Sequence, residues 1–172
     1  GCEPEVFLVR NLTARAVAES AQALAERISK AQILFIPGGF SGGDEPDGSG
    51  KFITALFHSP LVREALDKLL KQRQGLAGGI CNGFQALVKM GLLPSGGFAQ
   101  VTPQSPTLAH NRIGRHQSRL VTVRIASTLS PWFGRYEVGE QRSLPVSNGE
   151  GRFLCTREQA EAYAAAGQIG AQ

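Results

Sequence analysis

The sequence predicts an α/β protein: a parallel sheet with helices on both faces. Three observations carry that reading. Strand-like apolar runs alternate with segments of helical spacing through the first half of the chain. One of those runs, "QILFIP" (Gln32–Pro37), is continuously apolar, as strands covered on both faces are. The third is "GICNG" (Gly79–Gly83), which sets a cysteine between glycines where a strand hands over to a helix.

The elements follow in order. "EVFLVR" (Glu5–Arg10) reads as a short buried strand. Asn11 and Thr13 offer caps for a helix running to Lys30, with Val17, Ala21, Leu24 and Ile28 as its apolar stripe. "QILFIP" is the next strand, followed by a long loop rich in Gly, Asp and Pro, Gly38 to Gly50. Helices are expected around Phe52–Phe57 and Leu61–Gln72, the second turning Leu61, Ala65, Leu66, Leu69 and Leu70 inward. "GLAGGI" is a further buried strand and "FQALVKMG" a helix ending near Gly91. After Pro94 the rhythm changes. "RLVTVRIA" (Arg119–Ala126) alternates like a strand with one exposed face, and "SLPVS" (Ser143–Ser147) reads as another. Thr156 then caps a helix that Gly167 closes. No repeat or low-complexity linker divides the chain, so residues 1–172 read as one domain.

Composition narrows the function. The 172 residues suffice for one domain with a sizeable core. The formal charge of +4 comes from scattered Lys and Arg with little aromatic interleaving, which argues against a nucleic-acid partner. Cys2, Cys81 and Cys155 cannot all pair and show no metal-ligand spacing, so neither a disulfide framework nor a metal site is expected. That usage fits a reducing, cytoplasmic setting. No apolar run approaches the roughly 20 residues of a membrane helix, and none reads as a signal peptide, so no membrane partner is expected.

The cysteine turn is the sharpest chemical signal. Gly79-Ile80-Cys81-Asn82-Gly83 is the thiol counterpart of the G-x-S-x-G nucleophile elbow. Such a turn is strained and needs small neighbours where backbones approach. It would project the sulfur from the carboxyl end of the sheet, where open α/β folds bind ligands. The helix dipole would favour thiolate there, and the Asn82 amide would be placed to receive an oxyanion. The pattern alone equally fits a small buried hydrophobe, which is what most free cysteines are. A second glycine turn, "IPGGFSGGD" (Ile36–Asp44), brings backbone amides to the same end of the sheet. It reads as part of an oxyanion hole or as an ordinary tight loop. "DGSGKF" is not a phosphate loop: that pattern needs Gly at 45 and Ser or Thr at 52, where Glu45 and Phe52 stand.

Taken together, "IPGGFSGGDEPDGSGKF", "GICNGFQAL", "NRIGRHQS", "SPWF" and "PVSNGEGRF" resemble, in order and over most of the chain, the glutaminase domain of phosphoribosylformylglycinamidine synthase. That family is a class I glutamine amidotransferase of the purine pathway. The resemblance implies a flavodoxin-like three-layer fold. It also implies hydrolysis of glutamine to glutamate and ammonia through a thioester on Cys81. The ammonia would pass to a synthetase domain, on the same or a partner chain, that uses ATP and Mg and amidates formylglycinamide ribonucleotide. No cofactor is implied for the glutaminase domain itself. Carried over by position, Cys81 is the nucleophile. Gly38, Gly39 and Phe40 form the oxyanion turn with Asn82. Gln85, Asn111 and Arg112 shape the glutamine pocket, and Glu150 orients the catalytic histidine.

Two departures stand out. The family's His-Gly-Glu-Gly is Asn148-Gly149-Glu150-Gly151 here, and Asn cannot titrate. His58, His110 and His116 stand at no position that the resemblance makes catalytic and read as surface or loop histidines. The chain also reads as an excerpt, lacking a first strand and helix and a last segment, and is expected to be poorly stable alone. Three functions therefore compete: an active glutaminase domain, a catalytically impaired docking domain of that family, and another cysteine-elbow α/β hydrolase. Cys81, Asn148 and Glu150 are expected to converge on one cleft with the Gly38–Gly39 turn at its rim.

Overall fold

The structure, a computed structural model, describes residues 2–39 and 50–172. It divides into two compact units, one ending at Val101 and the other spanning Thr102–Gln172.

The first unit opens on α1, Ala14–Ile28, and Thr13 is its cap, the Ala16 N–H donating to Thr13 Oγ1 at 3.1 Å. The stripe is as expected, with Ala21, Leu24 and Ile28 buried and Val17 packed against the core. The far end of α1 is held from a distance. Arg73 donates to the Ile28 carbonyl at 3.0 Å and also to that of Ala31, satisfying acceptors a helix C-terminus leaves over. Strand β1, Ile33–Ile36, follows. Helices α2, Lys51–Phe57, and α3, Pro60–Asp67, come next, and α3 runs on through a π-helical turn at Lys68–Gln72. Strand β2, Leu76–Gly79, pairs with β1 in parallel, Ile33 opposite Leu76 and Ile36 opposite Gly79. Helix α4, Asn82–Lys89, and the short α5, Leu92–Ser95, close the unit.

Three expectations for this unit are corrected. Residues 5–10 form no strand: Phe7 and Val9 pack on the core while Val6 and Leu8 are exposed, an extended-chain alternation without a ladder. The Arg10 N–H goes instead to Ser20 Oγ, 3.0 Å away. Leu61 is half-exposed, and Val62 takes the inward place with Ala65, Leu66 and Leu69. At about 100° per residue, Leu61 lies roughly 90° off the centre of that stripe. Strand β1 is covered on one face only. Leu34 and Ile36 join the core cluster, which draws on α1 to α4, while Ile33 and Phe35 are exposed. A uniformly apolar run does not reveal which face its helices will cover.

The second unit is built on antiparallel pairs. Strand β3, Thr107–Ala109, β4, Gln117–Arg124, β5, Gln141–Asn148, and β6, Arg152–Leu154, precede α6, Arg157–Ala165. β4 pairs with β5 from Gln117–Asn148 to Arg124–Gln141, and β3 pairs with β6. Pro145, without an N–H, sits in β5 opposite Leu120, a place open to proline because β5 pairs only with β4 among the described residues. Ile125 lies beyond β4, in a bridge to Ala171. α6 carries a full capping box between Thr156 and Gln159. Its other end is a Schellman motif: Gly167, at φ +71°, donates to the Ala164 carbonyl and Gln168 to that of Tyr163. The Glu158 carboxyl in its first turn is held below the ordinary carboxylate range, first by a backbone N–H and then by the Thr156 hydroxyl. The fold is thus mixed α/β, with one parallel and two antiparallel pairs among the described residues.

Leu66 is fully buried at the centre of the first unit's cluster. Leu66→Ala is expected to lower unfolding free energy by about 2–5 kcal/mol. Leu61→Ala should cost no more than about 1 kcal/mol. Urea titration of the two variants checks the reassigned stripe, and equal losses would contradict it.

Candidate active site

Parallel pairing sends the chain out of β1 and β2 at the same end. Pro37, Gly38 and Gly39 leave there from β1, and Ile80 and Cys81 from β2. The Ile80 N–H donates to the Ile36 carbonyl at 3.2 Å, extending the ladder one step past β2. The chain then reverses abruptly. Cys81 has φ +53° and ψ −114°, a positive-φ conformation outside the left-handed helical well, at the N-cap of α4. A non-glycine residue held there stores about 1–3 kcal/mol of strain. The Gly83 N–H donates to the Ile80 carbonyl and the Gln85 N–H to that of Cys81, both at 3.0 Å, so the turn closes directly into the helix.

The flanking glycines explain how α4 fits. A Cβ on Gly83 would lie 2.1 Å from the Ile36 carbonyl oxygen, and one on Gly79 would lie 2.6 Å from the Gly83 carbonyl carbon. Helix and strands meet backbone to backbone, which excludes a side chain at either position. A Cβ on Gly38 would come within 3.0 Å of Cys81 Cβ and 3.9 Å of Sγ, so the glycine turn after β1 borders the thiol. Gly39 has φ +125°. Phe40 lies outside the described residues. Cys81 is exposed, whereas Asn82 and Gln85, on the first turn of α4, are only 3% and 6% exposed. The structure therefore brings Gly38, Gly39, Cys81, Asn82 and Gln85 together. Cys2 and Cys155 are also exposed and free.

In the second unit the predicted residues gather around Asn111. Its side-chain amide donates to the Asn148 carbonyl at 2.9 Å and the Arg115 carbonyl at 3.2 Å, and its Oδ1 accepts from the Gly151 N–H at 3.1 Å. Its own N–H donates to the Gly149 carbonyl at 2.9 Å. One side chain thus fastens the whole turn after β5. Arg112, beside it, is exposed. The Asn148 side chain folds over Gly151, where a Cβ would strike Asn148 Oδ1 at 2.2 Å.

Glu150 has only 14% of its side chain exposed, and its Oε1 lies 3.5 Å from His110 Nδ1. Sequence reasoning passed over His110, since it sits in no matching motif. The signal was its place directly before Asn111, the residue that grips the 148–151 turn. The other two histidines face elsewhere: His116 Nε2 is 2.9 Å from Ser147 Oγ, and His58 stacks at an angle on Phe98. Among the described residues no group of three or more His, Cys, Asp or Glu could hold a metal ion, and no helix is long and apolar enough to cross a membrane.

The chain is similar to known proteins. The family model described as the CobB/CobQ-like glutamine amidotransferase domain matches residues 1–172. The chain is 35% identical over 138 residues to the phosphoribosylformylglycinamidine synthase subunit PurQ of Chlorobaculum tepidum, covering 79% of this chain and 51% of the relative. It is 31% identical over 144 residues to the subunit of the same name from Synechococcus elongatus, covering 83% and 57%. The chain thus spans about half the length of the curated relatives it matches. Among solved structures it is similar to PurLQS from Thermotoga maritima, with a TM-score of 0.57 and 27% identity over 74% of this chain and 52% of that one.

Because any Cβ at Gly83 meets backbone rather than a movable side chain, Gly83→Ala is expected to destabilise by about 1–3 kcal/mol or more. Gly149 has open space around it and an unstrained φ, so Gly149→Ala should stay within about 0.5 kcal/mol. Chemical denaturation measures both. A Gly83→Ala protein as stable as its parent would contradict the close approach of α4 to β1.

Proposed function

Because the chain belongs to the CobB/CobQ-like glutamine amidotransferase domain family, we propose that it acts as the glutaminase part of a phosphoribosylformylglycinamidine synthase, with Cys81 as nucleophile. The observation that carries this reading is the strained, exposed Cys81 at the β2–α4 junction, bordered by the Gly38 turn. A buried structural cysteine would have no use for a positive-φ backbone. In this reading the turn is the nucleophile elbow of a flavodoxin-like three-layer fold. Cys81, with the Gly38–Gly39 turn beside it, takes the nucleophile's part, and Asn148 and Glu150 stand at the positions that the resemblance gives to the base and to the acid that orients it.

The chemistry follows from these groups. The Cys81 thiolate attacks the side-chain amide carbon of glutamine, forming a C–S bond while the carbonyl π electrons move onto oxygen. The Asn82 amide and the Gly38–Gly39 turn receive that oxyanion, and the positive end of α4 favours the charge. Collapse of the tetrahedral species breaks the C–N bond, and the leaving nitrogen takes a proton to depart as ammonia. Water then attacks the thioester, giving glutamate and restoring the thiol. By the resemblance, Gln85, Asn111 and Arg112 are the glutamine-binding residues and Glu150 orients the proton-transfer group.

Every step that moves a proton needs a titratable carrier, and the residue at 148, histidine in the family this sequence resembles, is here an asparagine. Glutamine binding and alkylation of Cys81 by a glutamine-like electrophile therefore outlast efficient turnover, because the N-terminus of α4 still favours thiolate. The ammonia is consumed by a synthetase partner, on the same or another chain, which supplies ATP and Mg and acts on formylglycinamide ribonucleotide in the cytoplasm. The names of the PurQ relatives and of the PurLQS structure support such a partner. A docking domain with little turnover is the second reading, and Asn148 is what favours it.

Ammonia release from glutamine by the full-length protein tests the proposal. The protein with Asn148 is expected to turn over roughly two to four orders of magnitude more slowly than its Asn148→His variant, the usual loss when an acid–base group is removed. Cys81→Ala should abolish release. Activity retained in Cys81→Ala would overturn the cysteine mechanism. Equal activity of the parent and its Asn148→His variant would show that position 148 is not the base.

A further inference from the structure

We propose that Asn111 is a positioning residue, which sets the 148–151 turn for proton transfer rather than binding glutamine; the inference rests on the reading above of position 148 as the base's place. The resemblance counts Asn111 among the glutamine-binding residues, but its polar atoms already have partners in the turn. An asparagine side chain offers two N–H donors and one carbonyl oxygen. Both donors are engaged here: Nδ2 donates to the Asn148 carbonyl at 2.9 Å and to the Arg115 carbonyl at 3.2 Å. Oδ1 accepts from the Gly151 N–H at 3.1 Å. To hold a ligand with its N–H groups, Asn111 would have to release main-chain carbonyls that then lose their donor.

The fold delivers Asn111 to that place. β3 and β6 pair with Ala109 opposite Arg152, and Arg152 Nε donates to the His110 carbonyl at 3.1 Å. Continuing that antiparallel register past the last pair sets Asn111 against the turn that runs into β6. Its own N–H donates to the Gly149 carbonyl at 2.9 Å. Asn111 thus bonds to Asn148, Gly149 and Gly151, and so brackets Glu150 between them. Every one of these contacts is to main-chain atoms. They fix the backbone from which the side chains at 148 and 150 project, whether asparagine or histidine stands at 148. Two glycines give the turn wide backbone freedom, and a clamp from outside removes it.

A clamp and a ligand leave different kinetic marks. General acid–base catalysis depends steeply on where its group stands, and a displacement of about 1 Å costs on the order of a hundredfold in rate. Loosening the turn therefore lowers kcat and leaves the affinity for glutamine in place. Removing a glutamine ligand raises KM instead. The main-chain bond from Asn111 to Gly149 survives any change of side chain, so a variant loosens the turn without releasing it.

The test uses the full-length protein, with Asn111→Ala and Asn111→Asp made both in the parent and in its Asn148→His variant. In the Asn148→His background, Asn111→Ala should lower kcat for ammonia release at least about tenfold and change KM for glutamine less than about twofold. Asn111→Asp keeps the shape and the acceptor for Gly151 but cannot donate to the carbonyl at 148, and it should lose kcat in the same way. In the parent, hydrogen exchange resolved to single amides should find the Gly151 N–H at least about fivefold faster in Asn111→Ala. The amides of the β4–β5 ladder should be unchanged, which shows the variant folded. Glutamine affinity of the parent, measured by calorimetry, should shift less than about twofold in Asn111→Ala. A KM or dissociation constant raised tenfold with kcat kept would overturn the proposal, as would an unchanged kcat or an unchanged Gly151 exchange rate. An inactive Asn148→His protein, or an active Cys81→Ala, would sink the mechanism above instead. The Gly151 exchange rate and the glutamine affinity then still decide between clamp and ligand.

Discussion

The first unit depends on one constraint, the backbone contact between α4 and the two parallel strands. α4 approaches so closely that Gly83 meets the Ile36 carbonyl and Gly79 meets Gly83, with no room for a Cβ between them. That closeness forces the connection after β2 to reverse within one residue, and Cys81 takes the positive φ that results. Strain of about 1–3 kcal/mol is tolerable because the ladder bond from Ile80 to Ile36 and the first turns of α4 hold both sides of the residue. The same geometry separates the sulfur from its neighbours. Asn82 and Gln85 go into the interior while Cys81 stays exposed beside Gly38. The exposure of Cys81 is thus a consequence of packing, with the glycines as its cause.

The second unit solves a different problem by different means. It has a turn to fix between β5 and β6, two strands that do not pair with each other. A single residue, Asn111, does so from the connection between β3 and β4: its side chain bonds to the Asn148 carbonyl and the Gly151 N–H, and its own N–H bonds to the Gly149 carbonyl. The turn so held presents Asn148 and Glu150 in fixed relation to His110. Replacing a histidine by asparagine at 148 leaves this scaffold intact, since Asn111 contacts the carbonyl of 148 rather than its side chain.

Legibility from sequence followed the strength of local signals. Thr13 and Thr156 were readable as caps because a capping oxygen and its helix lie within one turn. β4 and β5 were readable from alternation, though each proved to begin two residues earlier than the pattern indicated. β3 and β6, three residues each, are too short for a period to register, and their pairing is set by partners far apart in the chain. Residues 5–10 failed for the opposite reason: the alternation is present, but a strand also requires a neighbour. The cysteine turn was legible because its glycines are demanded by backbone geometry. The His110–Glu150 pair was not, because 40 residues separate its members and only the fold joins them.

The central claim, that Cys81 is the nucleophile, is tested most directly by trapping its acyl form. Mixing the full-length protein with glutamine, quenching in acid and mapping peptides by mass spectrometry should find a glutamyl adduct on the peptide containing Cys81. Its formation should require the thiol, so the Cys81→Ala variant should show none. An adduct on Cys2 or Cys155, or none on Cys81 under conditions where ammonia is released, would contradict the account.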